Sequence, residues 1–138
     1  MMSEVFLDTS YAIALSSKRD RFHSRALELA EKMETENAKL ITARPVLLEI
    51  GNALSARPHR SSAVALPDAL EDDPDVGIAP LTESLYMRGF GLFRKRQDKN
   101  WGIVDCISFV VMWERKITEA LTTDEHFRQA GFRALLRE

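Results

Sequence analysis

The chain has 138 residues, of which 45% are hydrophobic and 29% charged, and its formal net charge is −2. This length and composition predict one globular domain over residues 1–138 and exclude disordered and fibrous proteins. This slightly negative net charge excludes a protein that binds nucleic acid through an overall positive charge, so RNA or DNA binding would need local basic patches.

The pattern of apolar residues indicates neither a signal peptide nor a membrane anchor. Residues 1–4 lack a basic n-region, and the longest apolar stretch, around Cys106 to Trp113, is too short to cross a bilayer. The single cysteine allows no internal disulfide, which agrees with a reducing compartment. We therefore expect a cytoplasmic protein without membrane contacts.

The first part of the chain alternates short apolar runs with helical patterns. Val5–Leu7 is a compact strand-like run, and the Asp8-Thr9-Ser10 that follows can cap a helix beginning near Tyr11. Pro45 suits the first turn of a later helix. In order, the pattern predicts a strand at 5–7, a helix at 11–15, a helix at 22–36, a strand at 40–42 and a third helix from Pro45.

The second part is less regular at first, because Pro58, Pro67, Pro74 and Pro80 interrupt it. Farther on, apolar residues recur at helical spacing after Thr82 and again after Asn100. In order, the pattern predicts a short helix near 61–70, a strand at 76–79, a helix capped by Thr82, an apolar helix after Asn100, a strand at 120–122, a short helix after Asp124 and a last strand near 132–136.

Strands that alternate with helices predict right-handed crossover connections and hence parallel pairing. The expected fold class is α/β, a three-layer sandwich with a mostly parallel central sheet flanked by helices. In such sheets ligands bind beyond the carboxyl ends of the strands. Asp8 and Asp124 each close a strand-like run, so we expect both carboxylates at that edge.

Two further acids, Glu49 and Asp105, lie in segments that otherwise resemble buried helix faces. Four carboxylates in one place would repel each other, by about 4 kcal/mol for two unit charges about 4 Å apart at an effective dielectric near 20. Oxygen ligands without a cysteine or histidine pattern favour Mg²⁺ or Mn²⁺ over zinc. Since such ions can orient a water against a phosphodiester, the sequence favours phosphodiester hydrolysis.

Other interpretations of the same residues stay open. An Asp after a strand is often a helix N-cap, and a Glu within a helix is often a surface residue or half of an ion pair. The acids could instead form a non-catalytic groove for a basic segment of a partner protein, or serve a housekeeping or DNA-directed nuclease. The basic clusters at 18–25 and 94–99 fit solvated helix ends as well as nucleic-acid contacts.

The order and local sequence of the acids resemble those of the PIN domain family. The matching segments are Asp8-Thr9-Ser10, Glu49 with Asn52-Ala53-Leu54, Asp105 at the start of an apolar helix, and Thr122-Thr123-Asp124 ahead of His126-Phe127. The resemblance covers nearly the whole chain and is strongest to the VapC-type toxins of bacterial toxin–antitoxin pairs. Only the proline-rich stretch at 58–80 departs from the tidiest family examples.

This resemblance implies a Mg²⁺- or Mn²⁺-dependent endoribonuclease that cuts RNA to leave a 5′-phosphate and a 3′-hydroxyl. It implies catalytic metal ligands at Asp8, Glu49 and Asp105, with Asp124 as a fourth acid acting through water or on a second ion. A homodimer and a small antitoxin that fills the acidic groove are also expected. The remaining predicted site residues are the supporting polar groups Thr9, Ser10, Asn52 and Thr122 and the substrate-binding cations Arg94, Arg96 and Lys99.

Three residues near these acids are interpreted as structural. Cys106 has no histidine at an activating spacing and fits a small buried side chain. His126 is assigned a capping or packing role in preference to a phosphate contact. Trp101 is assigned to core or dimer packing in preference to stacking on RNA bases.

Overall fold

The computed structural model describes residues 3–138. Within them the chain forms five strands, seven α-helices and a terminal 3₁₀ helix. In chain order these are β1 (Glu4–Leu7), α1 (Thr9–Ser16), α2 (His23–Thr35), β2 (Lys39–Ala43), α3 (Arg44–Ala53), α4 (Arg60–Asp72), β3 (Val76–Ala79), α5 (Glu83–Lys95), α6 (Ile103–Arg115), β4 (Glu119–Leu121), α7 (Glu125–Gln129), β5 (Arg133–Ala134) and the 3₁₀ helix (Leu135–Arg137).

The five strands form one sheet in the order β3-β2-β1-β4-β5, and every neighbouring pair is parallel. The predicted α/β class with a mostly parallel sheet is therefore confirmed. Strand β1 is central: Phe6 is in register with Ile41 of β2 on one side and Ala120 of β4 on the other. The chain places β2 and β3 on one side of β1 and then β4 and β5 on the other side. The strand order therefore reverses between β1 and β4, and a ligand site is expected at the carboxyl ends of these two strands.

Burial of the central strand explains its uninterrupted apolar sequence. Val5, Phe6 and Leu7 are all buried, as expected for a parallel strand that is covered on both faces. Polar residues lie only at its two ends, with Glu4 at the start and Asp8 directly after Leu7. The strand therefore delivers a carboxylate to the sheet edge.

Helix α6 is anchored by an aromatic cluster around Phe109. Its ring meets Trp101 and Phe127 edge-on, each with ring centroids 5.0 Å apart, and packs on Phe132 at 5.7 Å. Trp101 is buried in this cluster, in agreement with its assignment to core packing, and Cys106 is buried on the same helix. This packing fixes the first turn of α6, where Asp105 lies.

Two elements differ from the sequence-based expectation. The helix predicted near 61–70 extends over Arg60–Asp72 and passes through Pro67, because a proline removes one backbone donor without necessarily ending a helix. The last strand, predicted near 132–136, is only Arg133–Ala134, and the chain then turns into the 3₁₀ helix that buries Leu135 and Leu136. Short apolar runs do not distinguish a strand from a buried turn.

Within residues 3–138, none of the helices combines the length and the apolar character needed to cross a bilayer.

Candidate functional site

The four acids selected from the sequence line a single cavity of about 390 Å³ at the carboxyl edge of the sheet. Asp8 follows β1, Glu49 lies on α3, Asp105 is in the first turn of α6, and Asp124 lies between β4 and α7. The cavity is also lined by Thr9, Ser10, Gly102 and His126. Residues far apart in the chain thus meet where the topology predicts a ligand.

Backbone bonds between the two strand ends set the spacing of Asp8 and Asp124. The backbone N–H of Asp8 donates to the carbonyl of Leu121 at 3.2 Å and extends the β1–β4 pairing by one residue. Asp124 lies just beyond and acts as the N-cap of α7, since its Oδ1 accepts from the backbone N–H of His126 at 2.9 Å. The predicted capping role of Asp124 is therefore real, and its carboxylate still lines the cavity.

Asp8 is the most buried of the four acids, with 6% of its surface exposed. Its Oδ2 accepts hydrogen bonds from the hydroxyls of Thr122 at 2.7 Å and Ser10 at 3.0 Å. Desolvation raises the pKa of Asp8 to about 6, the two hydroxyl bonds oppose that rise, and the charge of Asp105 adds to it. The two hydroxyl bonds hold the carboxyl in one orientation, and burial makes its ionised form unfavourable.

Asp105 accepts at Oδ2 from the backbone N–H of Gly102 at 3.1 Å, which caps the start of α6. Burial raises the pKa of this carboxyl above its usual value; the bond from His126 opposes the rise, and the charge of Asp124 increases it. Since α6 begins here, the positive end of the helix dipole also faces the cavity.

Glu49 is the exposed member of the set and lies at the mouth of the cavity. The hydroxyl of Thr9 donates to its Oε1 at 2.8 Å. Partial desolvation raises the pKa of Glu49, the Thr9 bond opposes this rise, and the charges of Asp105 and Asp124 reinforce it. The segment around Glu49 is a largely buried helix, as expected, since Val46, Leu47 and Ile50 are buried, whereas Glu49 itself faces solvent.

His126 is the site residue that the sequence analysis missed, because its ring lies among the acids of the cavity. Its Nδ1 lies 2.9 Å from Oδ2 of Asp105, to which it donates, and 3.3 Å from Oδ1 of Asp124. Potential ligand atoms of these three residues all lie within 4.8 Å of one another. The backbone does serve the helix cap, as expected, but the ring belongs to the cavity. The available signal was a histidine two residues after an acid at a strand end.

The predicted supporting residues divide into two groups. Thr9 and Ser10 line the cavity, and Thr122 is fully buried behind it, bonded to Asp8. Asn52 is exposed and does not line the cavity, because it lies near the end of α3, beyond Glu49. The predicted substrate-binding cations Arg94, Arg96 and Lys99 line a second cavity of about 370 Å³.

The donor set fits a divalent cation. Among residues 3–138, no lysine or arginine lines the acidic cavity, so its carboxylates have only the His126 ring as a potential positive neighbour. Carboxylate oxygens suit Mg²⁺ and Mn²⁺, while an added imidazole suits Mn²⁺ better than Mg²⁺. Burial is the main cause of the raised pKa values of Asp8, Glu49 and Asp105, and the charges of neighbouring acids add to it; a bound divalent cation would compensate these charges.

Comparison with known proteins identifies the family and the fold of this chain. The PIN domain family matches residues 5–133. The chain is similar to the 23S rRNA-specific endonuclease VapC20 of Mycobacterium tuberculosis, from strains CDC 1551 / Oshkosh and ATCC 25618 / H37Rv, with 28% identity over 128 residues that cover 93% of this chain and 95% of that protein. It is also similar to the crystal structure of M. tuberculosis VapC20, described as a sarcin-ricin loop cleaving toxin, with a TM-score of 0.84 and 27% identity over 94% of this chain and 97% of that chain.

Proposed function

Because this chain belongs to the PIN domain family, we propose that it is a divalent-metal-dependent endoribonuclease that hydrolyses RNA phosphodiester bonds. The observation that carries the proposal is the meeting of Asp8, Glu49, Asp105 and Asp124 in one cavity without a lining lysine or arginine among the described residues. The similarity to a 23S rRNA-specific endonuclease over 93% of the chain supports RNA as the substrate.

The ion, Mg²⁺ or Mn²⁺, would be held by Asp8, Asp105 and Asp124, with Glu49 and His126 completing the site. When bound, such an ion supplies a water of lowered pKa and stabilises the negative charge that develops on the phosphate and the leaving oxygen. A cavity that repels phosphate when empty becomes one that attracts it.

The residues around the ligands would position them. Thr122 and Ser10 hold Oδ2 of Asp8 in one direction, and Thr9 holds Oε1 of Glu49. Glu49 is exposed at the mouth of the cavity and is bonded only through Oε1, so we assign its Oε2 the role of accepting the proton of the attacking water.

We further propose that the protein is the toxin of a toxin–antitoxin pair. Its single nuclease domain would act in the cytoplasm as a homodimer. A small antitoxin would block it by inserting a basic side chain into the acidic cavity. The relative named above acts on the sarcin-ricin loop, and we therefore take that loop of 23S rRNA as the first substrate to test.

The decisive experiment incubates purified protein with ribosomal RNA and Mg²⁺ or Mn²⁺, with EDTA as the metal-free arm. We expect discrete cleavage with metal and none with EDTA. Asp105→Asn should abolish cleavage, while Asp68→Asn, which changes an exposed acid on α4 outside the cavity, should cleave like wild type. A single-stranded DNA of the same sequence tests the choice of nucleic acid.

Each other outcome assigns a different function. Binding of a basic peptide without cleavage under any metal would make the cavity a non-catalytic docking groove. Equal cleavage of DNA, or expression without toxicity in the absence of any antitoxin, would indicate a housekeeping nuclease. Full activity of Asp105→Asn would refute the metal site itself.

A further inference from the structure

A second cavity, of about 370 Å³, has a lining that is basic and aromatic. It lies between the end of α5 and the start of α6. The residues that matter for its chemistry are Phe93, Arg94, Arg96, Lys99, Trp101 and Cys106. Its character is the opposite of that of the acidic cavity.

The two cavities lie on either side of one short segment. Trp101 and Cys106 line the basic cavity, whereas Gly102 and Asp105, their direct neighbours in sequence, line the acidic one. The backbone N–H of Gly102 donates to Asp105 at 3.1 Å, so the segment is held against the metal ligands. A linear polyanion whose phosphate reaches Asp105 would therefore pass the basic cavity next.

The basic cavity carries more positive charge than its own acids neutralise. Arg96 is paired with Asp98 through two bonds of 2.9 and 3.0 Å. Within the described part of the chain, Arg94 and Lys99 form no salt bridge with any acid. The cavity thus offers Arg94 and Lys99 without a salt-bridge partner, and Arg96, whose partner Asp98 is exposed.

The aromatic rings of this cavity differ in their availability. The guanidinium of Arg96 lies 5.1 Å from the centroid of the Trp101 ring, and that of Arg94 lies 4.8 Å from the centroid of Phe90. Trp101 is itself buried and donates from Nε1 to Gln129 at 3.0 Å. Phe93 is 41% exposed. Its ring packs on that of Phe90, with ring centroids 5.9 Å apart, and no guanidinium among the described residues lies over it, so the exposed part of the ring is available to a base.

We propose that this basic–aromatic cavity binds one nucleotide of single-stranded RNA beside the cleaved bond. Arg94 and Lys99 hold the backbone phosphate, with Arg96 contributing as it leaves Asp98, and the base stacks on Phe93. This inference rests on the proposed ribonuclease function. Cations along a backbone together with an open aromatic face are the features by which proteins hold single strands, whereas an acidic peptide would use the cations and leave the ring without a role.

The electrostatic half of the proposal is tested by binding in EDTA, where no cleavage occurs. The anisotropy of a short fluorescein-labelled oligouridylate is measured over a series of KCl concentrations. Each phosphate contact to a single strand contributes about −0.7 to the slope of log affinity against log salt. We expect Arg94→Gln and Lys99→Gln each to weaken binding and to reduce that slope by about 0.7, while Lys116→Gln, an exposed cation between α6 and β4 outside both basic clusters, leaves both values unchanged.

The stacking half is tested by Phe93→Ala in the same assay. Loss of one base–aromatic stack should weaken binding by about 5- to 150-fold, which corresponds to the usual range of about 1–3 kcal/mol. The salt slope should stay at the wild-type value, because no phosphate contact is removed. Melting curves of each variant show whether it folds, and Phe93→Leu provides a second apolar replacement that keeps more of the side-chain volume than alanine but no aromatic ring.

The two proposals fail separately. Unchanged RNA affinity in Arg94→Gln, Lys99→Gln and Phe93→Ala, or no binding by wild type at the lowest salt, would overturn the nucleotide site even if the enzyme cuts RNA. Altered affinity without any metal-dependent cleavage would overturn the ribonuclease proposal and leave the nucleotide site standing. If a labelled oligoglutamate binds wild type but not the variants while RNA binding is unaffected, the cavity receives an acidic protein segment instead.

Discussion

The hydroxyl of Thr122 donates a 2.7 Å hydrogen bond to Oδ2 of Asp8 across 114 positions of sequence. Both residues are buried, with 0% and 6% of their surfaces exposed. The bond ties the end of β4 to the end of β1, at the point where the sheet presents its acids. Thr122 also accepts from the backbone N–H of Asp124 at 3.0 Å, so one hydroxyl orients two of the proposed ligands.

Replacing Thr122 by valine keeps the shape of the side chain and removes this hydroxyl. Asp8 then retains only the Ser10 bond, and the backbone N–H of Asp124 loses its acceptor. We expect the free energy of unfolding in EDTA to fall by about 1–3 kcal/mol and Mn²⁺ to bind more weakly. Urea denaturation and calorimetric titration measure the two effects. Thr122→Ser, which keeps the hydroxyl, is the control, and a valine variant that binds Mn²⁺ like wild type would contradict the assigned role.

The raised pKa of Asp8 predicts how the stability of the metal-free protein depends on pH. Its pKa is about 6 in the fold and about 3.9 in an unfolded chain. Between these values the folded state keeps a proton that the unfolded state has lost, so stability falls as pH rises through this window. The difference between these two pKa values of Asp8 corresponds to a change of about 3 kcal/mol in the free energy of unfolding.

Asp8→Asn removes this dependence, so the stability of the variant relative to wild type should rise by up to about 3 kcal/mol between about pH 4 and about pH 7. Urea denaturation in EDTA at both pH values provides the comparison. Asp68→Asn, which changes an exposed acid on α4, controls for the loss of one negative charge. A difference between Asp8→Asn and wild type that is the same at both pH values would show that the carboxyl ionises normally.

The position of His126 predicts a role in metal affinity. Its Nδ1 lies between Asp105 and Asp124, where it either binds the ion or orients its ligands. Loss of such a group usually weakens metal binding by about 10- to 100-fold, and we expect this of His126→Ala in a Mn²⁺ titration. Saturating Mn²⁺ should raise the melting temperature of wild type, because the ion binds only the folded state. His59→Ala, an exposed histidine on another surface, should behave like wild type, and equal Mn²⁺ affinity in both variants would remove His126 from the site.

The contact between α5 and α6 predicts opposite effects for two glycines of one helix. A Cβ atom at Gly89 would lie 2.4 Å from Cγ1 of Ile107, whereas one at Gly91 would have no atom within 4 Å. Gly89→Ala should therefore lose about 1–3 kcal/mol through overpacking. Gly91→Ala should raise the free energy of unfolding by up to about 1 kcal/mol, because alanine has a higher helix propensity than glycine. Thermal melts of both variants test the pair; a neutral Gly89→Ala would mean that the two helices separate at little cost.

Local sequence patterns were sufficient to predict most of the elements. The apolar run Val5–Leu7 and the helical spacing after Asn100 report burial directly, since burial is what selects those residues. The same patterns were insufficient at Pro67 and at Leu135–Leu136. A single proline inside a helix and a buried terminal turn depend on the surrounding packing rather than on local preference.

The candidate site divides in the same way. Four acids at two strand ends and on two helices could be selected from the sequence because carboxylates in apolar surroundings need compensation and because their order resembles that of the PIN domain family. Thr122 was predicted as a supporting residue from the same resemblance. The place of the His126 ring could not be derived, because it meets its partners only after distant segments pack together. Glu49 and Asn52 were both predicted as site residues on one helix, yet only Glu49 lines the cavity. Which side chains of α3 reach the cavity depends on how the helix packs against its neighbours.

The sequence alone predicted an α/β fold, a parallel sheet and a set of acids suited to a metal ion, since periodicity and the cost of burying charge are local properties of the chain. Only the tertiary structure decided that the acids share one cavity, that a histidine ring joins them, and that a basic–aromatic cavity lies across the Trp101–Gly102 segment. Distances between residues that are remote in sequence follow from how strands pair and helices pack, and no local pattern encodes them.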